Sequence, residues 1–362
     1  MADTESVSRD DLIVCTCGSR EYMPRDAIDA ALVRSELDAK WREFLHCVEA
    51  EKRADELDME LDDSAIADAA EAFRYEHDLI TAEETEAFLA NRGLTIDDFT
   101  DYFTRRYCAD TLNEKIVPDQ IEYISATPEL RQLFLAELIL CGELDRMTTA
   151  LMFRLAARCA EKDSDPDAIT AEERKFFERN KIEPAQLPNW LERLGRDLEW
   201  FNEMVAIEAA YRQRCGSLLI PQACQRELVT LRLPLTRFET EVIELESRDA
   251  AQEALFCVRE DGMSMEEVAI EGRYPYRRVD FLFEDIPSDV QQRFLSVSAG
   301  DVLEPIAHGD GFELCRIIKK IEPQADDSTV RLRIEQRLFD RHFSDLASKY
   351  TQRRLGALTS AE

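Results

Sequence analysis

The sequence predicts an α+β protein: a mainly helical N-terminal region with a duplicated helical module, a small α+β domain and a C-terminal helix. Glycine and proline are scarce up to about residue 215, and apolar residues recur there at helical spacing. After about residue 236 the pattern changes to strand-like segments that alternate with short helices. With 362 residues, 45% of them hydrophobic, the chain can form two domains with sizeable cores.

The helical region, residues 12–236, contains an internal repeat with units at about 25–117 and 127–205. ITAEE at 80–84 is echoed by ITAEE at 169–173, and the echo continues at Phe88 and Phe177, Asn91 and Asn180, and Asn113-Glu114 and Asn202-Glu203. In both copies we expect the Thr to be the N-cap of a helix and the second Glu to complete a capping box. The repeat therefore predicts a capped short helix, a turn and a longer helix, built twice.

The α+β domain is predicted over residues 237–323, in the order β-α-α-β-α-β-β. The predicted strands are 238–246, 279–283, an extended segment at 301–307 and 312–321, and the predicted helices are 249–259, 265–270 and one that begins after Ile286-Pro287-Ser288. A last amphipathic helix, 328–352, has apolar residues at Val330, Ile334 and Leu338. We expect it to pack back on the helical part and complete that region.

The charge balance disfavours two kinds of partner. The chain has 45 Lys and Arg against 76 Asp and Glu, a net charge of −31. Affinity for nucleic acid depends on basic side chains that neutralise phosphates, and anionic membrane surfaces attract basic segments. We therefore expect no nucleic-acid partner and no membrane partner. Residues 1–11 also lack the basic and apolar regions of an export signal.

Cysteine usage indicates a reducing compartment. Most of the ten cysteines occur singly in apolar stretches, which is typical of buried thiols in a cytoplasmic protein. Only Cys15 and Cys17 are close in sequence. A metal or redox site there would need further ligands, so packing is the favoured interpretation, and any further role of the pair stays open. Since no phosphate-binding glycine loop and no His/Cys cluster is present, we expect neither a cofactor nor a metal.

Four motifs carry a family resemblance. They are EDGMSMEEVA at 260–269, SAGDVLEPI at 298–306, GFELCRI at 311–317 and, upstream, CGSREYM at 17–23. The first three resemble the G-x-(S/D)-F-x-E-x-A helix and the GEVSEPI and GYHIIKV segments of parvulin-family (PpiC-type) peptidyl-prolyl isomerases. The fourth resembles the short strand and turn that precede the first helix of SurA-type chaperones. The resemblance implies a SurA-like helical region and a parvulin-like domain.

The chain departs from this family at the catalytic positions. Parvulins place one active-site histidine on the first strand and another after the aromatic residue of the G-Y-H motif. Here the second position is Glu313, and the first strand offers Glu241, Val242 or Ile243. The histidines of the chain are His46, His77, His308 and His342, and the family's G-G-D-L-G segment is missing. The resemblance therefore implies a degenerate domain without catalytic residues, and whether the protein is an enzyme stays open.

The candidate site residues are those expected to line a proline-accepting cleft in such a domain. They are Phe283, Ile286, Val290, Phe294, Phe312 and Glu313. The apolar residues among them are equally suited to a domain core. Because strand side chains alternate, Glu313 faces away from Phe312 and is either solvated or directed into the cleft.

By resemblance, the protein is a peptide-binding chaperone or a peptide maturation factor that holds an extended or unfolded polypeptide. Its partners would be unfolded or precursor peptides, with peptide-modifying enzymes as further candidates. One alternative is an active peptidyl-prolyl cis-trans isomerase. Another is a non-catalytic protein–protein adaptor in which the duplicated helices bind a folded partner.

Overall fold

A computed structural model describes residues 9–112, 121–161 and 165–354 of the chain. The chain divides into two compact units, Met1–Cys215 with Arg341–Glu362, and Gly216–Asp340. Helices and two antiparallel sheets confirm the predicted α+β class. None of the helices in these three described ranges combines the length and apolar character that a membrane span requires.

The elements follow one another along the chain. The strands are β1 (Cys15–Cys17), β2 (Arg20–Tyr22), β3 (Arg237–Leu245), β4 (Tyr276–Leu282), β5 (Ile306–His308), β6 (Gly311–Ile321) and β7 (Thr351–Arg353). The helices are α1 (Pro24–Val33), α2 (Asp38–Glu56), α3 (Asp63–Glu76), α4 (Ala82–Ala90), α5 (Ile96–Thr111), α6 (Pro128–Leu140), α7 (Glu143–Ala160), α8 (Pro166–Asn180), α9 (Leu187–Leu194), α10 (Leu198–Leu218), α11 (Pro221–Thr230), α12 (Arg248–Arg259), α13 (Met265–Gly272), α14 (Ser288–Ser296) and α15 (Ser328–Tyr350).

The first unit is a helical body with one small sheet. The sheet has the order β2-β1-β7, so β1 pairs with both neighbours. The predicted strand and turn ahead of α1 are present, and Gly18 supplies the turn with a φ of 60° that favours glycine. Aromatic rings of Trp41, Phe44 and Phe134 meet in the helical core at centroid distances of 4.9–5.4 Å.

The two copies of the repeat begin differently. Thr81 caps α4 as predicted: its hydroxyl accepts the Glu84 N–H at 3.2 Å, and the Glu84 carboxylate accepts the Thr81 N–H at 2.8 Å. The cap predicted at Thr170 is wrong, since α8 starts at Pro166 and its N-cap is Asp165. Asp at the cap and Pro in the first turn are both strong start signals, so the helix begins earlier and encloses Thr170.

The copies also differ downstream. The first has one long helix, α5, where the second has α9 and α10 separated at Gly195, whose φ is 68°. A side chain there would be strained, and its Cβ would lie 2.9 Å from Nη2 of Arg25. The echo at Asn113-Glu114 lies outside the described residues.

Within the second unit, residues 237–323 have the predicted β-α-α-β-α-β-β order, which is confirmed. Its sheet has the order β4-β3-β6-β5 with antiparallel pairs, and a register shift lies between Glu239 and Thr240. One face packs against α12 and α13, and its core cluster includes Ile243, Leu245 and Leu314. The other face packs against α14. The sheet is therefore covered on both faces.

The division into units differs from the predicted boundary at 236/237. A third apolar cluster in the second unit joins Leu231 and Leu235 to Leu282 and to the first half of α15, so residues 216–236 belong with this unit. The later part of α15 belongs to the first unit. There Phe343 lies 5.9 Å from the ring of Phe153 and 4.5 Å from that of Tyr211. For residues 341–350, the predicted packing of the C-terminal helix on the helical part is confirmed.

Candidate functional site

The sheet face that packs against α14 is where the resemblance places the site. Strand alternation directs Phe238, Val242 and Glu244 of β3 to this face. In the register of β3 and β6, Val242 lies opposite Cys315 and Glu244 opposite Glu313. One end of the face is therefore apolar and covered by α14, and the other end is charged.

Four of the six predicted site residues come together under α14. Phe283, Ile286, Val290 and Phe294 share one cluster, with exposed fractions of 3–7%. The Phe294 ring contacts that of Phe238 at 5.6 Å between centroids. In this structure the four side chains fill the core between the sheet and α14, and their role in peptide binding stays a prediction.

Phe312 is separated from these four residues. It lies opposite Leu245 and packs in the cluster on the α12 and α13 side of the sheet. Its neighbour Glu313 points to the other face, as alternation predicts. The structure therefore does not bring all six candidates into one cleft.

Glu313 is held in an ion-pair network. Its Oε1 lies 2.6 Å from Nη2 of Arg277 on β4, and Nε of Arg277 lies 3.0 Å from Oε1 of Glu244. The side chain of Glu313 is 17% exposed, so the carboxylate is neither fully solvated nor buried. One guanidinium thus joins two carboxylates that face each other across β3 and β6. We call Glu244, Arg277 and Glu313 the charged triad.

A second charged group, which was not predicted from the sequence, lies on the opposite face of the sheet, the one that packs against α12 and α13. Glu241 is 9% exposed and accepts the hydroxyl of Tyr276 at 2.8 Å and Nη2 of Arg278 at 3.1 Å. Burial raises the pKa of Tyr276, so its hydroxyl stays protonated and donates to Glu241. The run of Glu239, Glu241 and Glu244 in one strand was the available signal, because glutamates in a paired strand need cationic partners.

Among the described residues, this face of the sheet offers few nucleophilic or imidazole side chains. Burial raises the pKa of Cys315 to about 12, which keeps its thiol protonated and unreactive. His308 is exposed at the end of β5, opposite Gly311, while His46, His77 and His342 belong to the first unit. Within the described ranges, no group of three or more His, Cys, Asp or Glu side chains could hold a metal ion.

A separate groove lies in the first unit, between α3, α4 and α5. Its volume is about 700 Å³, and its apolar lining includes Ile66, Ala70, Ile96, Phe99 and Phe103. We call it the helical groove. Ile96 is 56% exposed, Ile66 and Ala70 are half-buried, and Phe99 and Phe103 are only 5% and 8% exposed, so Ile96 is the most accessible of these five side chains.

The rim of the helical groove is acidic. It carries Asp63, Glu71 and Glu86 with a single basic residue, Arg74. The guanidinium of Arg74 is already engaged, since Nη2 donates to the carbonyl of Ile80 at 2.8 Å. This groove does not follow from the sequence pattern, because the apolar positions of α3, α4 and α5 are equally consistent with core packing. Only the tertiary arrangement of these helices leaves a gap between them.

No protein-family model and no curated protein matches the chain. Several solved structures do resemble it. They are PrsA foldases and SurA-like chaperones. A peptidylprolyl isomerase (PrsA) from Bacillus cereus is 12% identical over 59% of this chain and 85% of that one, with a TM-score of 0.36. A foldase protein (PrsA) from Lactococcus lactis is 10% identical over 93% and 91%, with a TM-score of 0.28.

A structure from a study of two SurA-like chaperones in Campylobacter jejuni is 8% identical over 59% of this chain and 88% of that one, with a TM-score of 0.21. These neighbours are of the SurA and parvulin type that the sequence motifs indicate. Identities and TM-scores at this level do not transfer an activity to the chain.

Proposed function

We propose that this protein is a chaperone that holds extended or unfolded polypeptide segments, with the helical groove as a binding site. The observation that carries the proposal is the groove itself. Its volume of about 700 Å³ suits a few side chains of an extended segment. The exposed apolar side chain of Ile96 offers contact area that would leave water when a client binds.

The charge of the rim indicates the chemistry of the client. Three carboxylates and one guanidinium give the rim a formal charge of −2, and the whole chain carries −31. A client with charge opposite to that of the rim would encounter it faster, and like charge would disfavour acidic segments. The client segment is therefore apolar, with neutral or basic flanks.

The charged triad supports holding rather than catalysis. By resemblance, Glu313 occupies the position of a catalytic histidine, and here it is paired with Arg277 at 2.6 Å. A glutamate side chain has no ring N–H, so it does not offer a substrate the hydrogen-bond donor that an imidazole supplies. The chaperone role does not require isomerase activity.

Two finer parts of the proposal concern the client and the compartment. The client is a precursor peptide on which modifying enzymes act; this rests on the motif resemblance alone. The compartment is the reducing cytoplasm; this rests on the ten scattered cysteines.

The test uses two fluorescent, unstructured, proline-free peptides with the same apolar residues, one flanked by Lys and the other by Glu. We expect the Lys-flanked peptide to bind the full chain more tightly, by fluorescence anisotropy, and the preference to shrink as salt is raised. Ile96→Ala should weaken this binding about fivefold, since about 1 kcal/mol of apolar contact is removed.

The matched control is Leu198→Ala. Leu198 and Ile96 are each the first residue of a helix in the first unit, with exposed fractions of 57% and 56%, and only Ile96 lines the groove. Equal loss in both variants, or no binding of either peptide, contradicts the proposal. Faster cis/trans exchange of an Xaa-Pro peptide by NMR, lost in Glu313→Gln, would instead establish an isomerase.

A further inference from the structure

Two thiols that are far apart in sequence meet at the surface of the first unit. Sγ of Cys17 lies 3.2 Å from Sγ of Cys159, although 142 residues separate them. Cys17 is on β1, the central strand of the small sheet, and Cys159 is in the last turn of α7. This contact was not foreseen from the sequence, where Cys17 was interpreted as a packing residue.

The surroundings of the two thiols differ. Cys159 is exposed and Cys17 is half-buried, whereas Cys15, two residues before Cys17, is fully buried. Burial and the contact with Cys159 raise the pKa of Cys17 to about 12. Cys17 is therefore a protonated thiol at neutral pH, and Cys159 is the accessible member of the pair.

We propose that Cys17 and Cys159 form a redox modification site, which small disulfides such as oxidised glutathione convert to an intramolecular disulfide. The thiolate of Cys159 attacks one sulfur of the small disulfide and releases one glutathione thiolate. Cys17 then loses its proton to solvent and attacks the Cys159 sulfur of the mixed disulfide, and the second glutathione leaves. Two protein thiols are oxidised, and one small disulfide is reduced to two thiols.

The geometry makes the second step intramolecular. A disulfide needs the sulfurs at about 2.05 Å, so the pair at 3.2 Å must approach by about 1.2 Å. Cys159 is next to Ala160, the last residue of α7, where a helix end frays easily. The short approach, and the high effective concentration of a thiol already in contact, compensate for the protonated state of Cys17.

The disulfide has a defined structural consequence. It joins β1 to the end of α7, and β1 pairs with β7, the strand that follows α15. In the register of these strands, Cys17 lies opposite Thr351. Oxidation therefore ties β1, the strand that pairs with β7, to the end of α7. We expect the disulfide to raise the free energy of unfolding of the first unit, because the bond closes a long loop.

The first experiment is peptide mapping of the full chain after incubation with oxidised glutathione. We expect a linked pair of peptides containing Cys17 and Cys159, a mass lower by about 2 Da and eight free thiols of the original ten. The urea midpoint measured by tryptophan fluorescence should rise on oxidation, since Trp41, Trp190 and Trp200 are all in the first unit.

Three cysteine-to-serine variants distinguish the reaction of Cys17 and Cys159 from that of the other thiols. In Cys17→Ser the glutathione adduct should accumulate at Cys159, and in Cys159→Ser no intramolecular product should form. Cys141→Ser is the control, because Cys141 is also half-buried and its thiol contacts the carbonyl of Leu138 at 3.8 Å. The inference is overturned if the mapped disulfide joins other cysteines, or if glutathione leaves all ten thiols free in the folded wild-type chain.

Discussion

At the scale of single residues, the ion-pair partners of Glu313 are supplied by neighbouring strands. Alternation along β6 is enough to predict that it faces away from Phe312. The pairing of three strands then places Glu244 opposite it and brings Arg277 to both carboxylates. The sequence left two options for Glu313, solvation or a place in the cleft, because an ion pair across strands depends on register.

Removing the cation of the charged triad should leave two carboxylates opposed on neighbouring strands. We predict that Arg277→Ala lowers the free energy of unfolding of the sheet by about 0.5–1 kcal/mol, a modest value because Glu244 and Arg277 are each 47% exposed. The loss should be larger at low salt. Native-state hydrogen exchange of the β3 and β6 amides measures it.

The double variant Arg277→Ala with Glu244→Gln is the control for this prediction. It removes one of the facing carboxylates and should restore most of the lost protection. Equal protection in the wild type and Arg277→Ala at low salt would show that the triad contributes nothing to the sheet.

At the scale of elements, local sequence signals predicted the existence and type of each element more accurately than its first residue. The order of strands and helices in the second unit is as predicted. β4, however, begins at Tyr276 rather than 279, because pairing with β3 recruits Tyr276, Arg277 and Arg278 and supplies their glutamate partners. The start of α8 shifted for a different reason, a stronger local start signal at Asp165-Pro166.

The two threonines of the repeated ITAEE segment provide a matched test of capping. Thr81→Ala should lower the free energy of unfolding of the first unit by about 1 kcal/mol, since the hydroxyl that caps the Glu84 N–H is lost. Thr170→Ala should leave it unchanged or raise it by about 0.5 kcal/mol, because Thr170 is an exposed residue inside α8 and alanine favours helix.

Urea unfolding followed by tryptophan fluorescence compares the two variants in the same unit. The hydroxyl of Thr170 donates to the carbonyl of Pro166 at 3.0 Å, a local bond that does not cap a helix end. Equal losses in Thr81→Ala and Thr170→Ala would contradict the assignment of Asp165 as the cap of α8.

At the scale of the whole molecule, the division of the chain depends on burial between distant segments. α11 and the first half of α15 flank the α+β domain in sequence. Leu231 and Leu235, which follow α11, and Ile334 and Leu338 of α15 share one apolar cluster with Leu282 of that domain. The predicted boundary followed the change from helical to strand pattern. The observed division follows buried apolar contacts, which sequence pattern does not show.

Substitutions in the two parts of α15 should have effects in different units. Ile334→Ala should speed amide exchange in α11 and at the end of β4, while Phe343→Ala should do so in α7 and α10, where Phe153 and Tyr211 lose a ring contact. Each removes a nearly fully buried side chain, a loss of about 2–5 kcal/mol. Hydrogen exchange with mass spectrometry measures both, and the same protection pattern in the two variants would contradict the division.

The sequence by itself determined the α+β class, the order of the elements from β3 to β6, the cap at Thr81 and the absence of histidine from the motif position of Glu313. These features depend on residues a few positions apart, so periodicity, capping and turn signals are sufficient to predict them. Only the tertiary structure decided the charged triad, the burial of the predicted cleft residues, the helical groove and the contact of Cys17 with Cys159. Each of these depends on side chains separated by tens of residues, or by 142 for the two cysteines, and strand register and helix packing decide whether they meet.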